Sequence, residues 1–198
     1  MSNVARDEEL ALLYSAARTH YAWQPTPVSD DELRRVYELA RWAPTGGNGN
    51  SLRIEFVKSA AAKERLKPTL MPTNIEKVMS APVTAILAFD RAWYEKLPEL
   101  APFRPQARDQ IAGMPEAKRD QMGTLNATLQ AGYFILAARA YGLDCGPMGG
   151  FDPAKVDAEF FPEGNWRSIV LVNLGHGDPD KTLPRQPRLE FATACKIS

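Results

Sequence analysis

The stretch Ala43-Pro-Thr-Gly-Gly-Asn-Gly-Asn-Ser-Leu-Arg53 carries the residues best suited to holding a ligand. Glycines at 46, 47 and 49 let the backbone approach a flat or phosphorylated molecule and permit positive φ, while Thr45, Asn48, Asn50 and Ser51 offer neutral donors and acceptors. The stretch lacks the Lys-Ser/Thr ending of a nucleotide-triphosphate loop. It also follows a helix, where a dinucleotide fingerprint follows a strand. An ordinary surface turn draws on the same residue types for the same conformational reasons.

Side-chain catalysis finds little to work with. His20 and His176 are the only histidines, and neither has the spacing of a metal ligand or of a relay to a nucleophile. No Gly-x-Ser-x-Gly elbow occurs. Cys145 and Cys195 form neither a metal spacing nor a disulfide framework, which suits a reducing compartment. Cys145, between a strand and a Gly-Pro turn, reads as a small buried hydrophobe.

The elements that must position these groups follow from periodicity. A helix over about 7–17 places Leu10, Leu13, Tyr14 and Ala17 on one face. Ser29 and Glu32 form a capping box that opens a second helix with Leu33, Val36, Tyr37 and Ala40 facing the core. This helix runs into the Asn/Gly loop, which leads to a strand at 54–57. Two short helices, 60–67 and 74–79, precede a strand at 83–89. Residues 90–121, rich in Pro, Arg and Trp, read as an excursion of short helices and loops, a lid or a partner arm.

The strongest helical pattern runs from about 121 to 141, with Leu125, Leu129, Tyr133, Leu136 and Ala140 recurring among alanines. Its small residues suit either a core helix or a subunit interface. A short extended segment leads into the turn at 146–150, a helix spans 152–160, and Trp166–Gly175 reads as a buried strand. The proline-studded tail, 176–198, is extended.

With 198 residues and 44% hydrophobic content, the chain suffices for one mixed α and β domain, 1–198. Lys plus Arg equal Asp plus Glu at 24 each, so no global field favours nucleic acid, an anionic membrane or an acidic partner. The N-terminal segment has three acids where a signal peptide carries positive charge. The longest apolar run, Ala81 to Phe89, is about half the ~20 residues of a spanning helix. Cytoplasm is the expected compartment.

Several fragments, read together, resemble one family. They are Ala17-Arg-Thr-His20, Thr26-Pro-Val-Ser-Asp30, Arg41-Trp-Ala-Pro-Thr45, Glu64-Arg-Leu-Lys-Pro68, Ala81-Pro-Val-Thr-Ala-Ile86, Gly142-Leu-Asp144, Gly146-Pro-Met148, Gly150-Phe-Asp152 and Pro187-Arg-Leu189. Their co-linearity resembles the FMN-dependent nitroreductase family over nearly the whole chain, and within it the subgroup containing the malonic semialdehyde reductases. The resemblance implies a three-layer α+β fold around a mainly antiparallel sheet flanked by helices. It also implies an interlocked homodimer with FMN at the interface.

Carried over by position, the resemblance assigns Arg18 to the FMN phosphate with Thr19 and His20 beside it, and Lys181 and Arg185 to the same cationic site. Thr45, Gly46, Asn48 and Asn50 match the loop over the flavin, although Asn50-Ser-Leu52 replaces the family's Gln-Pro-Trp. Asn74 and Lys77 match the residues at the pyrimidine edge of the isoalloxazine, where Lys77 would stabilise the reduced anion. Pro147, Met148, Gly149 and Gly150 match the turn that reaches N5. The implied reaction is ping-pong, with NADH or NADPH reducing the flavin and a small acceptor reoxidising it. Malonic semialdehyde, nitroaromatics and quinones are the acceptors expected. A non-catalytic flavin-binding module is the alternative.

Overall fold

The computed structural model describes residues 4–198; residues 1–3, where the acidic N-terminal segment begins, lie outside the described residues. Four strands, β1 (Leu52–Val57), β2 (Val83–Asp90), β3 (Asp144–Met148) and β4 (Trp166–Gly175), form one sheet in the order β1-β2-β4-β3. All three pairings are antiparallel, with Ile54 opposite Leu87, Ile86 opposite Leu171 and Pro147 opposite Val172. Pro147 has no N–H to donate, and it sits on an edge strand where that omission is tolerated.

The central strand β2 is buried on both faces, so its alternating side chains feed two cores. Val83, Ala85, Leu87 and Phe89 join Leu33, Val36 and Ala40 of α2 (Asp30–Ala40) and Ala127, Ala131 and Phe134 of α7 (Glu116–Ala140). Ile86 and Ala88 pack on the opposite side with Leu66 of α3 (Ala60–Leu66), Val78 of α4 (Pro72–Ser80) and Val156 of α8 (Pro153–Phe160). The result is helices, sheet and helices in three layers, the α+β arrangement expected. A third cluster of Trp93, Leu97, Ala101, Ala107 and Ile111 consolidates the 90–121 excursion, where α5 (Leu97–Leu100) and α6 (Ala107–Ala112) lie.

Local signals hold where capping fixes them. Ser29 accepts from Glu32 N at 3.2 Å and the Glu32 carboxylate accepts from Ser29 N at 2.7 Å, so α2 starts at Asp30. Pro72 occupies the first turn of α4, where its missing N–H costs nothing.

The long helix requires a correction. It begins at Glu116 rather than near 121, and its buried residues are Gly123, Asn126, Ala127, Gln130, Ala131, Phe134, Ala137 and Ala138. The Leu125, Leu129 and Tyr133 face lies on the outside, with Leu125 63% exposed. Five of these eight are Gly or Ala, which let α7 approach the sheet closely around Phe134. The first helix is likewise shorter than expected: α1 (Asp7–Leu10) passes into a wider turn at Ala11–Ser15, and Leu10 and Tyr14 are exposed. The tail is extended except for one 3-10 turn at Pro179–Lys181 and a single turn of helix, α9 (Phe191–Ala194).

Candidate functional site

After the first helical segment the chain runs alongside the β3 edge, with Thr19 bridging Cys145 in parallel and His20 N donating to Cys145 O at 3.0 Å. This track holds Arg18 facing outward. The C-terminal tail returns over it: Arg18 donates to Leu183 O, and Arg185 donates to Ala17 O at 3.1 Å. Between them lies a cleft of about 510 Å³ lined by Arg18, Arg139, Arg185 and Arg188, together with Thr19 and Tyr21. No Asp or Glu contributes to its wall. In a chain of zero formal net charge, four guanidiniums without a carboxylate make a local anion site. The Nε of Arg139 is buried there without a partner.

A second polar cluster adjoins this cleft. Lys77 Nζ stands 4.7 Å above the ring of Tyr21 and donates to Asn74 Oδ1 at 3.1 Å. Asn74, 8% exposed, donates through Nδ2 to Gly150 O at 3.0 Å, and Gly150 O also accepts from Met71 N. The α4 helix and the turn after β3 are thereby clamped together. Arg18, Thr19, Tyr21, Lys77, Asn74 and Gly150 form one continuous track. Pro147 is half-buried, Gly149 is exposed, and the Met148 side chain belongs to the core beneath the sheet.

The Asn/Gly loop lies elsewhere on the molecule. Gly46 N donates to Asn126 Oδ1 at 2.8 Å, Asn48 donates to Leu100 O at 2.7 Å, and Gln130 Nε2 reaches Asn50 Oδ1 at 3.4 Å. Gly47, Asn48 and Asn50 all take positive φ, at 63°, 55° and 42°. Gly49 is pressed against the Trp93 ring, where a Cβ would lie under 3 Å from ring carbons. Asn48 and Asn50 line a groove with Trp42, Lys96 and Leu100 that shares no residue with the arginine cleft. Along α7, Gln130 at the loop and Arg139 at the cleft are separated by about 14 Å of helix rise.

Two expected phosphate neighbours are not brought to the cleft. The His20 ring is buried against Gly177, with Nε2 3.3 Å from Asp144 Oδ1, because the ring turns inward under the tail's first residues. Lys181 is exposed and paired with Asp178 at 3.6 Å. Sequence reasoning missed Tyr21, Arg139 and Arg188 in the cleft, and Asn126 and Gln130 under the loop. The last two carried a usable signal, since two amides four residues apart on an Ala-rich helix mark a buried polar face.

Beneath α4 lies Lys63, which the sequence reading also passed over. It is 4% exposed, and burial pushes its ammonium down from 10.5 to about 7. Cys145 is fully buried against α7, and burial pushes its thiol up to about 12. Among the described residues no helix is long and apolar enough to cross a membrane, and no cluster of three or more His, Cys, Asp or Glu is placed to hold a metal.

Known proteins share the sequence pattern and the fold. The model of the nitroreductase family matches residues 15–176. A protein of Polynucleobacter asymbioticus named "Putative NADH dehydrogenase/NAD(P)H nitroreductase" is 48% identical over 197 residues, covering all of both chains. One of the same name from Leptothrix cholodnii is 51% identical over 185 residues, 93% of each chain. The fold is shared with a nitroreductase of Exiguobacterium sibiricum crystallised with FMN, at a TM-score of 0.87 and 17% identity over the whole of both chains. With its family model spanning most of the sequence and relatives of near-equal length at about half identity, the chain belongs to the nitroreductase family.

Proposed function

We propose that the chain binds FMN along the Arg18 to Gly150 track and uses it to pass hydride from NADH or NADPH to a small acceptor. Family membership makes the chain an NAD(P)H-dependent oxidoreductase. The observation that carries the flavin reading is the acid-free arginine cleft contiguous with the Lys77–Asn74–Gly150 cluster. One end suits a phosphate dianion, which requires fixed cations in a partly dry cleft, and the other suits the polar edge of a heterocycle.

Arg18 and Arg185, supported by Arg139 and Arg188, hold the phosphate, with Thr19 beside them. Asn74 and Lys77 meet the pyrimidine edge, and the backbone of exposed Gly149 and half-buried Gly150 faces the ring. Bound FMN supplies the two-electron carrier between nicotinamide and acceptor. Lys77 places positive charge where negative charge gathers on reduction, stabilising that state. The chain needs no nucleophile, in keeping with the burial of His20 and Cys145.

The functional unit is a homodimer. Loop 45–50 and the arginine cleft open on separate parts of one chain, and a second copy can bring its own loop over the flavin. Exposed Trp42, Leu39, Leu125, Leu129 and Tyr133 supply the apolar surface for that contact, Trp42 being 75% exposed.

For the acceptor, malonic semialdehyde, reduced to 3-hydroxypropionate, is the reading that the subgroup resemblance favours, with nitroaromatics and quinones as further acceptors. Arg104, whose Nη1 lies against Gly47, and Lys96, which shares its groove with Asn48 and Glu99, are in no ion pair among the described residues and can take an acceptor's carboxylate. An anaerobic titration with NADH and NADPH, followed by an acceptor panel that includes malonic semialdehyde, tests this. The FMN-loaded protein is expected to bleach and recolour. A flavin that stays oxidised would mean a binding module, and protein that remains colourless with excess FMN would overturn the reading.

A further inference from the structure

Lys63 lies on α3 with its Nζ inside the protein, the only lysine or arginine buried among the described residues. Nζ donates to Val78 O at 2.8 Å and to Thr84 Oγ1 at 2.6 Å. The Thr84 hydroxyl then donates to Asn173 Oδ1 at 2.6 Å, and Asn173 Nδ2 donates to Lys77 O at 2.9 Å. Thr84 and Asn173 are fully buried. A continuous hydrogen-bonded chain thus crosses from α3 through β2 and β4 and ends on two successive carbonyls of α4.

Those carbonyls, of Lys77 and Val78, fall in the last turn of α4, where no later helical N–H accepts the duty of pairing them. Water or a glycine cap commonly satisfies such groups. Here a buried ammonium and a buried amide do so, with a longer 3.5 Å bond from the Ser80 hydroxyl to Lys77 O, and the positive charge also complements the negative end of the helix. Burying an unpaired ammonium costs several kcal/mol, and burial alone accounts for its depressed proton affinity, with no carboxylate opposing it. A methionine would fill the same space without that cost. The hydrogen bonds, not the volume, are what the lysine adds.

We propose that Lys63, Thr84 and Asn173 are positioning residues that fix the end of α4, and so the place from which the Lys77 ammonium meets Asn74 and the flavin. The inference rests on the reading of Lys77 as the cation at the pyrimidine edge. Lys77 leaves α4 from the residue whose carbonyl Asn173 holds, so its backbone origin is set by the relay while its head is set by Asn74 and Tyr21.

The test is the midpoint potential of FMN bound to the full-length protein. Lys77→Ala lowers it on the reading above. Thr84→Val breaks the relay on both sides at nearly constant shape, leaves Lys63 and Lys77 in place, and is expected to shift the potential in the same direction. Thr84→Ser, which keeps the hydroxyl, is expected to stay with wild type, and Thr84→Val in the Lys77→Ala background is expected to add no further shift. Lys63→Met is the second probe should Thr84→Val fail to fold. If Lys77→Ala moves the potential and the relay variants do not, the positioning role is overturned and the flavin reading stands. If Lys77→Ala leaves it unmoved, the tuning role of Lys77 falls and this inference with it.

Discussion

Asn74 and Gly150 are fitted to each other so closely that neither can change alone. The Asn74 Nδ2 donates to Gly150 O at 3.0 Å, and a Cβ built on Gly150 would overlap that same nitrogen. The neighbouring Gly149 has nothing within 4 Å of its own Cβ position. Two adjacent glycines therefore do different work: one makes room for a carboxamide, and the other leaves a surface open.

Gly150→Ala is expected to push the Asn74 carboxamide aside, breaking its bond to the turn and the 3.1 Å contact with Lys77. Stability should fall by about 1–3 kcal/mol from the unsatisfied buried amide, and FMN affinity should drop by roughly tenfold or more. Gly149→Ala is the control, with an unfolding midpoint near wild type. Denaturant titration of both variants, and flavin retention of Gly150→Ala on desalting, check this; equal unfolding midpoints of the two would remove the role given to Gly150.

Lys63 makes stability depend on pH in a definite direction. Its folded value is depressed to about 7 from 10.5, so between those limits the unfolded chain binds more protons than the folded one. Stability therefore rises with pH across that window and is lost as pH falls toward about 7, by an amount on the order of a few kcal/mol in total. Urea unfolding of wild type and Lys63→Met at pH 7 and pH 9.5 measures it. The wild type should gain on the variant at the higher pH, and parallel curves would show that the ammonium is not desolvated as described.

Much of this fold is legible where local rules decide. The Ser29–Glu32 box, the apolar run of β4 and the proline at the start of α4 each act through their own neighbours. The α7 helix was legible as a helix but not in orientation. Leu125, Leu129 and Tyr133 define a stripe, and periodicity does not say whether sheet or second chain covers it. Lys63 was hidden for a related reason, since a lysine in Ala-Ala-Ala-Lys-Glu-Arg-Leu reads as a solvated face until Val78, Thr84 and Asn173 are placed around it. In the site, Arg18 and Arg185 stood out by position, while Arg139 became part of the cleft only because α7 ends beside the tail.

The two thiols should separate cleanly by reactivity. Cys145 is fully buried and its thiol is pushed up to about 12, whereas Cys195 is exposed near the C-terminus. Because the thiolate is the reactive form, native protein at pH 8 should react with an aromatic disulfide at one thiol per chain, and unfolded protein at two. Cys195→Ser should then be silent until denatured. Rapid native labelling of Cys145 would mean that the α7 layer opens far more readily than its packing implies.

Leu129 tests whether the outward stripe of α7 is covered by a second copy. It is 47% exposed, flanked by Leu125 and Tyr133, and lies beside Gly132, whose Cβ position meets nothing within 4 Å. In a monomer Leu129→Arg replaces one solvent-facing side chain with another and changes stability by no more than about 0.5 kcal/mol. In a dimer it buries a guanidinium in an apolar contact with no carboxylate provided, which costs several kcal/mol. Analytical ultracentrifugation is expected to show a dimer for wild type and dissociation for Leu129→Arg. Flavin retention should fall with it, because loop 45–50 of one copy then no longer covers the arginine cleft of the other. A variant that stays dimeric and yellow would place the subunit contact on a different face and separate the loop from the flavin altogether.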